Sequence, residues 1–493
     1  MSSESAAPDV SPDLPSLMQV SDAGHGVQKP AYVPAEHGAG ILHIGVGAFH
    51  RAHQAVYTDS ALAEQGGDWR IIGANLRSAA LGNILNRQNG LYTLLEKGRS
   101  GTQARLIGSI SQVIAARETP DTLLQQLSDP VIRIVSLTVT EKAYGIVRPS
   151  GEVNPQHDDI AYDLAHPQQP RGVIGLLVEG LRLRRDAGVQ AFTVLCCDNL
   201  PANGHLLQNG VLSFARQLDS GLADWIAANV AFPSTMVDRI TPAATQETRD
   251  EVAQLGGYDD QAALESESFS QWVIEDHFPA GRPYWEAGGA LFVADVEPYE
   301  QMKLRMLNGT HSMLAYAGFL RGCTYVRDVM ADPVLKPLVE RHLQAAAATL
   351  SALPGIDFAD YAAELVQRFE NPAIAHETYQ IAMDGTEKLP QRLLEPAEHA
   401  LQQGQDLRPF AYAVAAWMRY CLGVKDDGTA YALRDPREAE IRACLSGVPR
   451  EAVAISQALQ GLSGLFPESL TNSSDWQQLL SEELQLWFAG AGT

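Results

Sequence analysis

The sequence predicts an α/β first half built on a parallel sheet and a mostly α-helical second half. Two observations carry this. Up to about residue 240, short apolar runs alternate with amphipathic stretches, and beyond about residue 295 strand-like runs give way to long segments rich in Ala, Leu, Glu and Gln. Near-continuous apolar strands separated by helices are the pattern of a parallel sheet covered on both faces.

In chain order, residues 1–30 are rich in Ser, Pro, Asp and Ala without a sustained period and read as a mobile tail. The strand candidates are Ile41–Gly47, Trp69–Leu76, Arg105–Ile110, Val131–Val139 and Ala191–Cys197. Between the last two, Val173–Ala187 has helical spacing, and Gly188 is placed to end that helix as a C-cap. Tyr299–Leu320, Leu335–Leu353 and Phe358–Phe369 read as helices. The boundaries expected are a tail over 1–30, an α/β domain over 31–295 and a helical domain over 296–493.

The chain has 493 residues, 45% of them hydrophobic and 19% charged, enough for two or three domains with a sizeable core. A net charge of −23 argues against nucleic acid or an anionic membrane as partner, because phosphate binding needs basic surface. Five cysteines without a C-x-x-C pair supply neither a disulfide framework nor a zinc ribbon. The first Lys or Arg is Lys29, and no apolar run reaches the ~18 residues of a membrane span. The expectation is a soluble, cytoplasmic protein.

The first strand runs through Ile44 and ends in Gly45-Val46-Gly47-Ala48-Phe49-His50. Two glycines between a strand and a helix let backbone N–H groups approach a pyrophosphate, as in a Rossmann-type dinucleotide-binding domain. His50 replaces the third glycine of the usual fingerprint. A tight structural turn is the competing reading, and the turn's place on the first strand favours the dinucleotide. The second strand ends in Leu76-Arg77-Ser78 with no carboxylate for a ribose. Arg77 suits adenine stacking, a 2′-phosphate or a solvated turn alike, so NAD and NADP both stay open, with NAD favoured by the lack of a basic cluster.

Polar residues also follow the later strands: Thr140 and Glu141, Asp198 and Asn199, and Asp238 beside Val237. Each fits a helix cap, yet together they share the ligand-binding edge of an open α/β sheet. Farther on, Lys303, Asn308 and His311 fall on one broad helical face, with Lys303 and His311 about 80° apart and Asn308 about 60° beyond. A lysine beside amide and imidazole groups, out of water, serves as a general base; a surface lysine is the plain alternative. Lysine is scarce here, with seven against 29 arginines. Tyr299-x-x-x-Lys303 matches the acid/base pair of short-chain dehydrogenases, but it opens the helical half rather than sitting in the nucleotide domain. His50 and His53 lie close in sequence without a cysteine at ligand spacing, so no metal is expected.

The segments Gly45–Gln54, Ser136–Glu141, Cys197-Asp198-Asn199, Met236–Ile240 and Lys303…Asn308…His311 resemble the long-chain mannitol dehydrogenase family from about residue 30 to the C-terminus. The resemblance implies zinc-independent hydride transfer between a nicotinamide and a secondary alcohol, in an active site between a Rossmann-type and a helical domain. It makes Lys303 the general acid/base. Asn199 and Asn308 become hydrogen-bond donors to the reacting oxygen, His311 orients the substrate hydroxyl, and Glu141 stands on the proton path. It puts Ile44, Gly45, Val46, Gly47, Ala48, Phe49, His50, Arg77, Val237 and Asp238 on the cofactor side. Ile381–Arg392, Val139–Lys142, Met302–Gly309 and Trp417–Tyr420 look closest to the fructuronate reductase branch. That branch implies reduction of D-fructuronate to D-mannonate, with mannitol or arabinitol oxidation as the alternative. Polyol-oxidising members carry an arginine where this chain has Gln380. A uronate needs a cation for its carboxylate, which Lys388 or Arg392 can supply by a charge-assisted bond.

Overall fold

Five strands form the central sheet: β1 (Ala39–Ile44), β2 (Arg70–Asn75), β3 (Ile110–Ala115), β4 (Ile134–Leu137) and β5 (Thr193–Cys196). All pair in parallel, in the order β3-β2-β1-β4-β5. This is the doubly wound order of nucleotide-binding sheets: the chain runs outward through β2 and β3, then returns to lay β4 beside β1. Strand alternation divides the side chains between two cores. Leu42, Ile44, Val135 and Val194 pack with helix Val173–Ala187, while Ile41, Ile134 and Leu195 pack with helix Gln54–Gln65. Both faces are covered, which is why these strands read as nearly unbroken apolar runs.

The computed structural model describes residues 26–99, 101–147 and 150–489, and the chain divides into two compact units, Met1–Glu297 and Pro298–Thr493. Most of the expected tail, residues 1–25, lies outside the described residues, and Val27–Gln28 form a short strand. Helix Val173–Ala187 has the expected bounds, and Gly188 ends it in a left-handed conformation at φ 66°. The run Arg105–Ile110 is not one strand. Gly101–Ile107 joins a mixed sheet with Val27–Gln28, Tyr92–Gly98 and Leu264–Glu267, and β3 begins only at Ile110. The break has a tertiary cause. The Gly108 N–H donates to Asp59 (2.9 Å) and the Ser109 hydroxyl to the Ala55 carbonyl (2.7 Å), which fastens the turn to helix Gln54–Gln65. A three-stranded sheet of Thr235–Asp238, Gln271–Glu275 and Leu291–Val293 completes the unit's larger sheets.

The second unit is helical. Helix Thr310–Leu320 is apolar almost all round and buried from Thr310 to Gly318, so neighbours must enclose it. It packs against Arg408–Tyr420, which in turn lies on Ser474–Phe488. The stretch expected as one helix over Tyr299–Leu320 is interrupted: α-helix Glu297–Met302 passes into a π-helix, Lys303–Gly309, before α-helix Thr310–Leu320. A second π-helix, Pro390–Leu394, packs against the first. Among the described residues no helix is long and apolar enough to cross a membrane.

Candidate functional site

The first group of site residues lies where β1 and β4 leave the sheet. Gly45 takes φ +100°, and a Cβ there would stand 2.2 Å from the Thr138 carbonyl oxygen, so only glycine fits between the two strand ends. At Gly47 the situation is opposite: a Cβ would meet nothing nearer than the Gly45 oxygen at 3.8 Å. The space over the turn is open, so it suits the close approach of a pyrophosphate to backbone N–H groups. Ile44 and Val46 are buried beneath the turn; Ala48 and Phe49 are half-buried, Phe49 stacked on His53 at 5.0 Å. Arg77 is exposed two residues beyond β2. Val237 and Asp238 are buried at the end of strand Thr235–Asp238, opposite Trp272 and Gln271.

His50 turns inward. It is fully buried and stacked on His43 with centroids 3.4 Å apart, and neither of its ring nitrogens has a hydrogen-bond partner. Burial, aided by His43, Arg51 and His53, holds its pKa well below the usual range. His43 bridges Ser136 Oγ (2.8 Å) and Thr138 Oγ1 (2.9 Å), and burial pushes it down to about 3. The Thr138 hydroxyl donates to the Gly45 carbonyl (2.9 Å), so its oxygen accepts from His43 Nε2–H and Ser136 donates to Nδ1. This neutral relay fixes the glycine turn from below. Its sequence signal was a lone polar residue in an otherwise apolar strand.

The segment after β4 is held from β5. Asp198 accepts from the Val139 and Thr140 N–H groups (3.0 Å each) and from the Tyr144 hydroxyl (2.6 Å). Thr140 adopts φ 73°, ψ 151°, a region that glycine alone enters readily and that costs another residue about 1–3 kcal/mol. The exposed Glu141 follows directly, and Asn199 is exposed beside Asp198. Asp198 therefore serves as an anchor across strands rather than as a helix cap.

In the second unit, Lys303 is buried at the start of the π-helix, Asn308 is half-buried within it, and His311 is buried one residue into the next helix. The α-helical angles expected for these residues do not apply. Five residues span about 140° beyond a full turn in an α-helix, but only roughly 50° beyond one in the wider i→i+5 π-helix, so Lys303 and Asn308 share a face. His311 packs against Phe369 (4.8 Å) and edge-on to His376 (5.3 Å), and its Nε2 is buried without a hydrogen-bond partner. Burial, then His376, Arg368 and Arg392, drive its pKa well below the usual range, so the ring is neutral.

The second π-helix brings Arg392 to this group. Arg392 Nη1 donates to the Asn308 carbonyl and to Ser312 Oγ, both at a long 3.4 Å, and burial lowers its pKa. Among the described residues it forms no ion pair with a carboxylate. Lys388 differs: its ammonium donates to the Met383 (2.6 Å) and Ile381 (3.3 Å) carbonyls and lies 3.8 Å from Asp384. Burial and then Arg392 lower its pKa. Gln380 is exposed on helix Thr378–Ile381. His376 and Ser312 are neighbours of this cluster that the sequence did not single out. Neither falls in a motif, and only the fold brings them to His311 and Arg392.

A doubly wound parallel sheet with a glycine turn at its switch point, followed by a helical unit with a buried lysine, defines a two-unit oxidoreductase with a Rossmann-type first unit. The chain belongs to the mannitol dehydrogenase family: the family's Rossmann-domain model matches residues 39–287 and its C-terminal-domain model matches residues 295–476. It is 45% identical to the D-mannonate oxidoreductase of Escherichia coli (strain K12) over 469 residues, 93% of this chain and 95% of that protein. Mannitol 2-dehydrogenase of Cereibacter sphaeroides is 41% identical over 414 residues, covering 83% of this chain and 86% of that one. The structure of Pseudomonas fluorescens mannitol 2-dehydrogenase in ternary complex with NAD and D-mannitol superposes with a TM-score of 0.80 at 39% identity, covering 97% and 96% of the two chains.

Proposed function

We propose that this protein reduces D-fructuronate to D-mannonate with NADH and catalyses the reverse oxidation. The observation that carries the uronate reading is Arg392, a half-buried guanidinium without a carboxylate partner among the described residues, beside Asn308 and the neutral His311. A partly desolvated cation left in this state matches a ligand that brings its own carboxylate, and a charge-assisted pair has the geometry to orient it. Lys388, whose ammonium is engaged by its own turn, is the weaker candidate. A neutral polyol gives Arg392 no counter-charge.

When bound, the nicotinamide supplies the hydride to the ketone carbon. Lys303 donates the proton to the ketone oxygen, so a secondary alcohol forms and the lysine is left neutral until it regains a proton. Asn308 and Asn199 hydrogen-bond the same oxygen as negative charge grows on it, an interaction stronger in the transition state than in the ground state. His311, uncharged, orients an adjacent hydroxyl, and Glu141 returns the proton from solvent. NAD rather than NADP is favoured by the stretch after β2, where Arg77 is the one cation between Leu76 and Ala80, and by the NAD in the Pseudomonas fluorescens relative.

The test is the loss of reduced-nicotinamide absorbance with NADH and NADPH, each offered fructuronate and fructose. Rapid turnover of fructuronate is expected, with fructose a poor substrate. Arg392→Gln should raise the fructuronate KM by about 10- to 100-fold, the range for losing a hydrogen bond to a charged group, and leave the fructose KM nearly unchanged. A wild-type preference for fructose makes the protein a mannitol-type enzyme instead.

A further inference from the structure

We infer that Asp198 is a positioning residue for the dinucleotide: clamped by Tyr144, its carboxylate holds Val139–Thr140 in the backbone shape that walls the cofactor turn. The inference rests on the dinucleotide reading above and is independent of the sugar. Three donors converge on this one carboxylate, two backbone N–H groups of the β4 exit and the Tyr144 hydroxyl. Tyr144 is itself buried, with its hydroxyl 3.3 Å from Cys196 Sγ on β5. Since the tyrosine proton goes to Asp198, the thiol is the donor in that contact, and a chain runs from β5 through Tyr144 and Asp198 to the end of β4.

What the carboxylate holds is a backbone that threonine does not choose unaided. At φ 73°, ψ 151°, a β-branched residue is strained, and it stays there only if its surroundings over-determine it. Thr140 is exposed, so no packing of its own side chain fixes the shape, whereas both N–H groups of the strained dipeptide point at Asp198. The same segment abuts the cofactor turn. A Cβ on Gly45 would touch the Thr138 carbonyl at 2.2 Å and Val139 Cγ1 at 3.0 Å, so any relaxation of 138–140 moves the wall facing Gly45–Gly47. Asp198 thus sets cofactor affinity through a backbone 58 residues away in sequence.

The experiment is an equilibrium titration of the full-length protein with NADH, followed by NADH fluorescence. Asp198→Asn keeps the shape but turns an amide NH2 toward groups that are themselves donors, and it should weaken NADH binding about tenfold. Adding Thr140→Gly lets the backbone keep its shape without the clamp, and the double variant should return to within about threefold of wild type. An Asp198→Asn protein that binds NADH like wild type overturns the inference, as does a double variant as weak as the single one. If Asp198→Asn does not fold, Tyr144→Phe decides: binding about threefold weaker supports the clamp, and unchanged binding overturns it. A wild-type protein that binds neither NADH nor NADPH removes the cofactor reading and this inference together. Failure to turn over fructuronate touches only the substrate reading.

Discussion

Lys303 and Tyr299 make the same sequence fit two mechanisms, and their surroundings separate them. Tyr299 is buried, burial raises its pKa, and its hydroxyl donates to the Pro354 carbonyl at 3.3 Å, a structural use of the group. Lys303 shares a π-helical turn with Asn308, next to the helix that carries His311. Replacing Lys303 with Ala should lower kcat by about 10²- to 10⁴-fold, the usual contribution of a general acid, while the NADH dissociation constant changes little. Tyr299→Phe should keep nearly full turnover and lose about 1 kcal/mol of stability, one net hydrogen bond, read from the urea midpoint. A dead Tyr299→Phe enzyme with an active Lys303→Ala counterpart assigns the chemistry to the tyrosine. At this scale the residue types were legible because each stands in a short motif, but their partners were not. Nothing in Cys197-Asp198-Asn199 announces that the aspartate reaches the Thr140 backbone, and nothing in Val139-Thr140-Glu141 announces a left-handed threonine.

The π-helices are the elements that most change the site, and they leave no mark in the residue pattern. Apolar spacing locates helices such as Val173–Ala187 and Phe358–Phe369 because both signals, periodicity and end residues, are local. A π-turn is set by what packs against it, and here each π-helix faces the other. The same reasoning covers the misread Arg105–Ile110 run, whose break is imposed by helix Gln54–Gln65. Gly309 is the contact between the two π-helices: a Cβ there would stand 2.5 Å from the Arg392 backbone oxygen, which cannot swing away as a side chain would. Gly309→Ala should therefore cost about 1–3 kcal/mol in the urea midpoint, as overpacking does, and displace the guanidinium. The fructuronate KM should rise several-fold, with the NADH dissociation constant unchanged. A variant that loses stability but keeps the wild-type KM detaches the position of Arg392 from this contact.

For the whole molecule, acidification sets two effects against each other. With a net charge of −23, self-repulsion weakens as carboxylates are neutralised toward the pI near 4.9, which favours the folded state. Against this stand buried imidazoles, among them His43 and His50 in the first unit and His311 and His342 in the second, with His43 pushed down to about 3 and His342 to about 4 by burial. A histidine whose folded pKa lies below its unfolded value of about 6.5 contributes stability that is fully present above 6.5. As pH falls from there toward the folded pKa, the unfolded chain binds protons that the folded one refuses, and each such ring costs about 1.4 kcal/mol per pH unit. Buried carboxyls pull the other way: Asp59, Asp163 and Asp260 are raised by burial, so the folded state takes up their protons first. Backbone N–H groups of Gly108, of Arg171 and Gly172, and of Thr93 and Ala262 hold these carboxylates and oppose the rise, whereas His50 has no hydrogen bond to offset its burial. The imidazoles should therefore win between pH 7 and about 5.5, and the urea midpoint should fall across that range instead of rising. His342, bonded through Nδ1 to the Thr310 hydroxyl beside His311, carries one share of the effect. Replacing it with Leu should flatten the pH slope by up to about 1.4 kcal/mol per unit. A midpoint that climbs as pH drops from 7 to about 5.5 would mean that relief of the acidic surface outweighs the buried rings.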